Sequence, residues 1–173
     1  MNGNTLYEFI APNENILNKN TVYILNELLT NSYSKEFIDY NYPTCINIAP
    51  KASKTYAIKT GTTNTDHLIF GYNKDAILGI WMGYDDNRPT AVSDGTIMKN
   101  IWIDTMENYL KDKDNNWYKT PENVVGVLVD PISGEPATET STHKKIFYYI
   151  KGTQPYSTNQ DLEESISTFK ETN

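Results

Sequence analysis

The stretch KTYAIKTGTTNTDHLIFGYNKDAILGIWMGYDDNRP, residues 54–89, decides the fold. It holds three runs that are rich in β-branched and aromatic residues, separated by short polar segments of Asn, Asp, Thr and Lys. Such runs with brief polar connections are typical of strands joined by hairpins. The sequence therefore predicts three consecutive antiparallel strands over residues 55–62, 67–72 and 76–84.

Apolar periodicity predicts a helix on each side of these strands. The first covers residues 20–30, with Asn18 or Asn20 as its N-cap. The second covers about residues 96–111 and is expected to pack on the sheet through Ile101, Trp102 and Met106. The predicted apolar stripe of the first helix is Val22, Leu25, Leu28 and Leu29. The predicted apolar face of the second is Ile97, Met98, Ile101, Trp102, Met106, Tyr109 and Leu110.

The rest of the chain divides by composition. Residues 112–156 contain VVGVLV, then an Asp-Pro-Ile-Ser-Gly turn, extended chain and the strand-like run KKIFYYI, which together predict a β-rich extension. Residues 157–173 are polar and acidic, and we expect a disordered tail there. The predicted units are therefore a main unit over residues 1–111, an extension over 112–156 and a tail over 157–173.

Composition excludes several classes of function. The 173 residues include 15 basic and 22 acidic side chains, giving a net charge of −7, which argues against binding to nucleic acid. No apolar run reaches the roughly 18 residues that a membrane-spanning helix needs. The chain has one cysteine, Cys45, so no internal disulfide is expected, and a single cysteine argues against a zinc cluster.

The first predicted strand carries Lys59-Thr60-Gly61-Thr62. Because side chains alternate along a strand, Thr60 and Thr62 share one face while Lys59 and Gly61 share the other. Two hydroxyls on an edge strand form a small fork suited to a carboxylate, and a lysine ammonium stabilises a neighbouring anion. A free N–H on an edge strand also suits an acyl oxygen that becomes negative.

The motif and its surroundings resemble the transpeptidase domain of class A (bifunctional) penicillin-binding proteins. Lys-Thr-Gly-Thr-Thr is followed by an aspartate, Gly-Tyr, a short turn and a run that ends in Gly-Tyr-Asp-Asp. The later helix and the Gly-Thr-x-Pro near residue 155 also fit that family. The positions that match in register are Asp66, Gly71, Tyr72, Asp75, Gly83, Tyr84, Asp85 and Asp86.

The resemblance implies an α+β fold: part of a serine β-lactamase/transpeptidase-like domain, with an antiparallel sheet packed by helices and a C-terminal β-hairpin extension. It implies acyl transfer from D-Ala-D-Ala stem peptides, with peptidoglycan and β-lactams as ligands and no cofactor. Lys59 and Thr62 are the implied catalytic residues, and Thr60, Gly61 and Thr62 the implied substrate-binding residues. The implied location is the extracellular face of the cytoplasmic membrane, anchored through an N-terminal segment that this chain lacks.

The family's nucleophile motif, Ser-x-x-Lys, lies well before Lys-Thr-Gly, as does its Ser-x-Asn motif. Candidates here begin at Ser32, Ser141 and Ser157. The first lies too close to Lys59 and starts no hydrophobic helix, and the other two follow the active-site strand, so we reject all three. The chain is expected to be the C-terminal part of a transpeptidase domain, inactive alone, whose missing N-terminal part is its partner.

Other interpretations remain open at this point. The chain is alternatively a non-catalytic cell-wall module with a degenerate transpeptidase fold. A serine β-lactamase is a third possibility, disfavoured by the Gly-Tyr-Asp-Asp strand end and the long extension. His67 is interpreted as a half-exposed strand histidine rather than a base, and Asp85-Asp86 as a polar turn rather than a metal site.

Overall fold

The three predicted strands form one antiparallel sheet, as the sequence indicates. The computed structural model of the chain describes residues 7–8 and 15–155. Strand β1 covers Ala57–Thr62, β2 covers Asp66–Tyr72 and β3 covers Ile77–Gly83, in the order β1-β2-β3. Each connection is a short polar turn, so neighbouring strands pair along their whole length, from Thr62 opposite His67 to Ala57 opposite Tyr72.

The long helix α2 covers Val92–Tyr109 and packs on one face of this sheet. It begins earlier than the predicted residue 96. The reason is local: the Asp94 carboxylate accepts a hydrogen bond of 2.9 Å from the Ala91 N–H. An acidic side chain in the first turn also stabilises the positive end of the helix dipole.

The predicted apolar face of α2 is correct for Met98, Trp102 and Met106, which are buried, and wrong for three other residues. Trp102 is fully buried, its ring meets Tyr56 edge-on at 5.3 Å, and its indole N–H donates to the Leu78 carbonyl at 3.0 Å. Ile97, Ile101 and Tyr109 are instead 51%, 47% and 72% exposed, and Ile103, absent from the prediction, is fully buried. The side chains that α2 buries are Met98, Trp102, Ile103 and Met106.

The shift has a tertiary cause. Each residue turns a helix by about 100°, so Ile101 and Ile103 lie on opposite sides of Trp102. The short 3-10 helix Ile46–Lys51 packs against α2, and its Lys51 donates to Asp104, the neighbour of Ile103, at 2.8 Å. Ile48 and the preceding Cys45 belong to the same buried cluster as Ile103. The buried stripe therefore moves away from Ile101.

Helix α1 covers Lys19–Thr30 and begins at the predicted cap. The Asn18 side chain accepts a hydrogen bond of 2.9 Å from the Asn20 N–H. The predicted stripe is wrong here, because Leu25 and Leu28 are 51% and 46% exposed. The side chains that α1 buries are Asn20, Tyr23 and Asn26.

Hydrogen bonds explain why Tyr23 and Asn26 of α1 lie inward, whereas the Asn20 Oδ1 is buried without a partner among the described residues. The Tyr23 hydroxyl lies 2.8 Å from Thr120 Oγ1, and the Tyr72 hydroxyl donates to Asn26 Oδ1 at 2.7 Å. Buried polar groups with partners carry little desolvation penalty, so periodicity of apolar residues alone does not identify the inner face.

The extension forms a second sheet. Strands β4, Val124–Val129, and β5, Lys145–Ile150, pair antiparallel with each other. The turn after β4 is closed by the Gly134 N–H bonded to the Asp130 carbonyl at 2.8 Å, and Gly134 has a φ of +76° that favours glycine. The α+β fold with antiparallel sheets, helices and a C-terminal hairpin is thus confirmed.

The predicted tail at 157–173 lies outside the described residues. Within residues 7–8 and 15–155, neither helix combines the length and apolar character needed to cross a bilayer.

Candidate functional site

Lys59, Thr60, Gly61 and Thr62 lie on β1, the strand at one edge of the three-stranded sheet. Lys59, Gly61 and Thr62 are exposed and Thr60 is half-buried. The register places Thr60 opposite Ile69 and Thr62 opposite His67. Ile69 and His67 are buried side chains on the α2 face, so both threonines lie on that side of β1.

The hydrogen-bond pattern shows where the backbone of this strand points. The Thr63 N–H donates to the Asp66 carbonyl at 2.9 Å, which makes 63 and 66 a hydrogen-bonded pair. Because such pairs alternate in an antiparallel ladder, Thr60 and Thr62 belong to non-hydrogen-bonded pairs. Their N–H groups therefore point away from β2, toward the open edge.

Lys59 lies on the opposite face from the two threonines, beside Phe70 in the neighbouring strand. Its ammonium donates to the Thr60 carbonyl at 2.6 Å, at the open edge. An ammonium, two hydroxyls and an outward N–H thus lie within four consecutive residues. Such a set is suited to an anion and to an acyl oxygen that gains negative charge.

Gly61 leaves the strand clear at this point. A Cβ built there would meet only Leu68, at 3.6 Å, which is an ordinary van der Waals contact. The packing of the described residues therefore does not require glycine at position 61.

Asp66 fixes the turn next to Thr62, a role that sequence reasoning missed. Its carboxylate accepts hydrogen bonds from Thr65 Oγ1 at 2.6 Å, from Trp81 Nε1 at 2.9 Å and from Thr63 Oγ1 at 3.2 Å. The bond from Thr65, followed by that from Trp81, lowers the pKa of Asp66. Hydroxyl residues one and three positions before an aspartate are the sequence signal that indicates such a turn.

His67 differs from the prediction. It is 5% exposed rather than half-exposed, and its Nε2 lies 3.1 Å from the Ala91 carbonyl. A Cβ at Gly95 would come within 2.9 Å of His67 Nδ1, so the ring fills the space that this glycine leaves in α2. His67 therefore connects β2 to the start of α2, and it lies opposite Thr62 in the strand pairing.

The sheet face opposite α2, called here the open face, carries exposed apolar side chains. Phe70, Ile77 and Trp81 are 54%, 73% and 51% exposed. Lys59 and Gly61 lie on the same face by strand parity. An apolar surface of this kind next to a polar edge is typical of an interaction surface.

The rejected serine motifs are not assembled into a site within the described residues. The Ser32 hydroxyl is buried without a hydrogen-bond partner there, while Lys35 of the same motif is exposed. Ser141 lies in the loop before β5, where its hydroxyl accepts from the Thr138 N–H at 2.9 Å. The motif that begins at Ser157 lies outside the described residues.

Asp85 and Asp86 form the polar turn that the sequence indicates. Arg88 Nε lies 3.7 Å from the Asp86 carboxylate, and the Arg88 guanidinium stacks 3.8 Å above the Tyr84 ring. Asn87 has a φ of +60°, which asparagine tolerates in turns.

No protein-family model matches the chain. Individual known proteins are nevertheless similar to it in sequence, and they show its family. It is 32% identical over 154 residues to penicillin-binding protein 2D of Bacillus subtilis, covering 88% of this chain and 22% of that protein. It is 30% identical over 131 residues to penicillin-binding protein 1A of Pseudomonas aeruginosa, covering 73% and 15%. The chain thus spans about a fifth of the first relative's length.

A solved structure agrees in fold. Penicillin-binding protein 1A from Haemophilus influenzae superposes with a TM-score of 0.67 at 22% identity, covering 81% of this chain and 21% of that one. At that identity the likeness establishes the architecture alone, and the family rests on the sequence relatives. The chain belongs to the penicillin-binding proteins and corresponds to one part of their longer chain.

Proposed function

We propose that the chain forms the substrate-side wall of a penicillin-binding D,D-transpeptidase site and that the nucleophilic serine comes from another part of the complete domain. The observation that carries this proposal is the open edge of β1. There Lys59, Thr60 and Thr62 present an ammonium, two hydroxyls and an outward N–H in a chain related to penicillin-binding proteins.

Each group has a role in the proposed acyl transfer. A serine attacks the penultimate D-Ala carbonyl of a stem peptide, D-Ala leaves, and an amine of a second stem takes the acyl group to form the cross-link. The Thr62 N–H stabilises the oxyanion, and loss of one such donor costs about 3–4 kcal/mol of barrier. The Thr60 and Thr62 hydroxyls hold the terminal carboxylate, and Lys59 supports proton transfer near the nucleophile.

The open face and the chain's units fit the same proposal. The exposed Phe70 and Trp81 are the surface on which the rest of the transpeptidase domain packs. Residues 1–111 are the C-terminal portion of that domain and residues 112–156 its extension, located on the extracellular side of the cytoplasmic membrane. In the alternative, a non-catalytic module with the same fold, β1 would serve only as a structural strand and Lys59 would have no part in catalysis.

A chimera tests the role of Thr62. The matched 154-residue segment of the Bacillus subtilis relative is replaced by this chain's segment, and the rate of acylation by a fluorescent penicillin is measured. Thr62→Val removes the hydroxyl and keeps the backbone N–H. We expect acylation to slow about ten- to a hundredfold, because a hydrogen bond to a charged acceptor contributes about 1.5–3 kcal/mol.

Two controls separate charge recognition from strand geometry. Thr96→Val, on the exposed side of α2, should leave the rate unchanged. Acylation by the matching penicillin ester, which has no carboxylate to hold, should respond much less to Thr62→Val. Equal slowing of acid and ester would show that Thr62 acts through the shape of the strand, and the proposed role would be wrong.

A further inference from the structure

A cavity separate from the β1 edge lies between α1, the end of β2 and the linker that leads to β4. Its volume is about 770 Å³. Small-molecule sites in proteins have volumes of roughly 300–1,000 Å³. The cavity is therefore large enough for a small organic ligand.

Three tyrosines form much of the cavity wall, and hydrogen bonds hold them in place. The Tyr23 hydroxyl pairs with Thr120 at 2.8 Å, the Tyr72 hydroxyl donates to Asn26 at 2.7 Å, and the Tyr118 hydroxyl lies 3.4 Å from a backbone carbonyl. Burial raises the pKa of all three phenols. The rings are thus fixed and uncharged, and they offer aromatic surface without repelling an anion.

The charge of the lining is opposite to that of the chain. Lys19, Lys74 and Lys119 line the cavity, and none of the aspartates and glutamates in the described part of the chain does. Among the described residues, no carboxylate lies within ion-pair distance of these three lysines. Lys74 donates instead to the neutral amide of Asn116 at 3.2 Å. In a protein with a net charge of −7, this is a local concentration of positive charge.

We propose that this cavity binds an organic phosphate, with the lysine ammonium groups facing the phosphate and the ligand's ring or short chain lying among the tyrosines. Lysine binds phosphate as a compact point charge. A phosphate ester of this kind carries a charge of about −1.5 to −2 at pH 7, so the three lysines of the lining complement it better than they would a single carboxylate. The shared chemistry is a phosphate ester, whether it belongs to a small molecule or to a lipid headgroup.

The test uses phenyl phosphate and the full 173-residue chain. Binding is followed by backbone amide NMR shifts at residues 17–26, 72–74 and 117–121. Inorganic phosphate supplies the charge alone and phenol supplies the ring alone, so both should bind more than tenfold more weakly than phenyl phosphate. Lys119→Gln and Lys74→Gln should each weaken phenyl phosphate about three- to fivefold, as expected for partly exposed ion pairs. Added salt should weaken it further.

The matched control is Arg88→Gln. Arg88 follows β3 at the Asp66 end of the sheet, whereas Tyr72 and Lys74 lie at the other end. This variant should bind phenyl phosphate as the unmodified chain does. Vesicles of phosphatidylglycerol distinguish the source: lysine-dependent binding to them, absent with phosphatidylcholine, would assign the phosphate to a lipid headgroup.

The proposal is overturned by either of two results. One is that neither phenyl phosphate nor the phosphatidylglycerol vesicles shift the amides around the cavity. The other is that Arg88→Gln weakens binding as much as Lys119→Gln and Lys74→Gln do. The amide spectrum of each free variant shows whether it is folded, and the two lysine variants check each other.

Discussion

The two faces of the β1–β3 sheet belong to the same strands but differ in how far their apolar side chains are buried. On the α2 face, Ile58 and Ile69 are almost completely buried against Trp102. On the open face, Phe70 and Trp81 remain about half exposed, although they are larger apolar residues. The difference lies in what covers each face. Helix α2 packs against strands β2 and β3 on one side, whereas on the other side α1 contacts β1 and bonds to Tyr72, and the described residues leave Phe70 and Trp81 about half exposed.

The comparison separates folding from proposed function. Burial of apolar surface contributes about 25 cal/mol per Å², so the α2 face supplies most of the stabilisation of the sheet. The open face contributes less and carries Lys59 and Gly61, two of the proposed site residues. Substitutions of side chains buried against α2 should therefore change stability. Substitutions on the open face or at the β1 edge, where Thr60 and Thr62 lie beyond the buried residues, should mainly change binding.

The largest effect should come from matched tryptophan truncations. Trp102→Ala removes a fully buried ring and should lower the free energy of unfolding by about 3–5 kcal/mol. Trp81→Ala, on the open face, should lower it by less, about 1.5–3 kcal/mol, through loss of its hydrogen bond to the Asp66 carboxylate. Urea unfolding followed by circular dichroism measures both. Equal losses would show that the open face is as important for stability as the α2 face.

Two glycine-to-alanine substitutions, each adding one methyl group, compare the packing of the two sheet faces directly. A Cβ at Gly71 would lie 2.3 Å from the Trp102 ring and 3.1 Å from Ile58, so Gly71→Ala should cost about 1–3 kcal/mol through overpacking. Gly61→Ala adds a methyl that makes only ordinary contact and should change stability by less than about 0.5 kcal/mol. The comparison fails if Gly61→Ala destabilises the chain as strongly as Gly71→Ala in thermal melts.

The smallest predicted effect is on the free energy of unfolding at acid pH and involves Glu107 on α2. Burial raises the pKa of Glu107, but hydrogen bonds from Ser53 and Tyr56 outweigh burial and hold it below its ordinary value of 4.5. Because the folded-state pKa is depressed, the carboxylate's contribution is fully present above about pH 4.5 and is lost as the pH falls through the folded value. Glu107→Gln should therefore flatten the fall in stability between about pH 5 and pH 3.

The control for this pH effect is Glu139→Gln, at an exposed position in the loop after β4. Unfolding midpoints in urea at several pH values measure both variants. If Glu107→Gln leaves the acid limb of the profile as steep as Glu139→Gln does, the hydrogen bonds to Glu107 do not stabilise the fold.

The strands were predictable because their signals are local. Short polar turns around Asn64 and Asp75 separate β-rich runs, and pairing between neighbours in sequence needs no other information. The inner faces of the helices were less predictable. Ile103 is buried because residues 46–51 pack beside it, and Asn26 is buried because Tyr72 donates to it. Both causes are tertiary, and apolar periodicity does not contain them.

The site was predictable in part for the same reason. Strand parity alone puts Thr60 and Thr62 on one face, whereas the outward direction of the Thr62 N–H depends on which residue pairs are hydrogen-bonded, which the structure supplies. The roles of Asp66 and His67 were missed because Trp81 and the start of α2 approach them through the fold.

Intact mass after exposure to benzylpenicillin tests the central proposal most directly, that this chain supplies the wall of the site and another segment supplies the serine. The chain alone should keep its mass. The Bacillus subtilis chimera should gain one penicillin, and Lys59→Ala in that chimera should reduce the gain at least a hundredfold in rate, about 2.7 kcal/mol of barrier. A stable adduct on the chain alone mapped to Ser32, or labelling of the chimera that is indifferent to Lys59→Ala, would contradict the account.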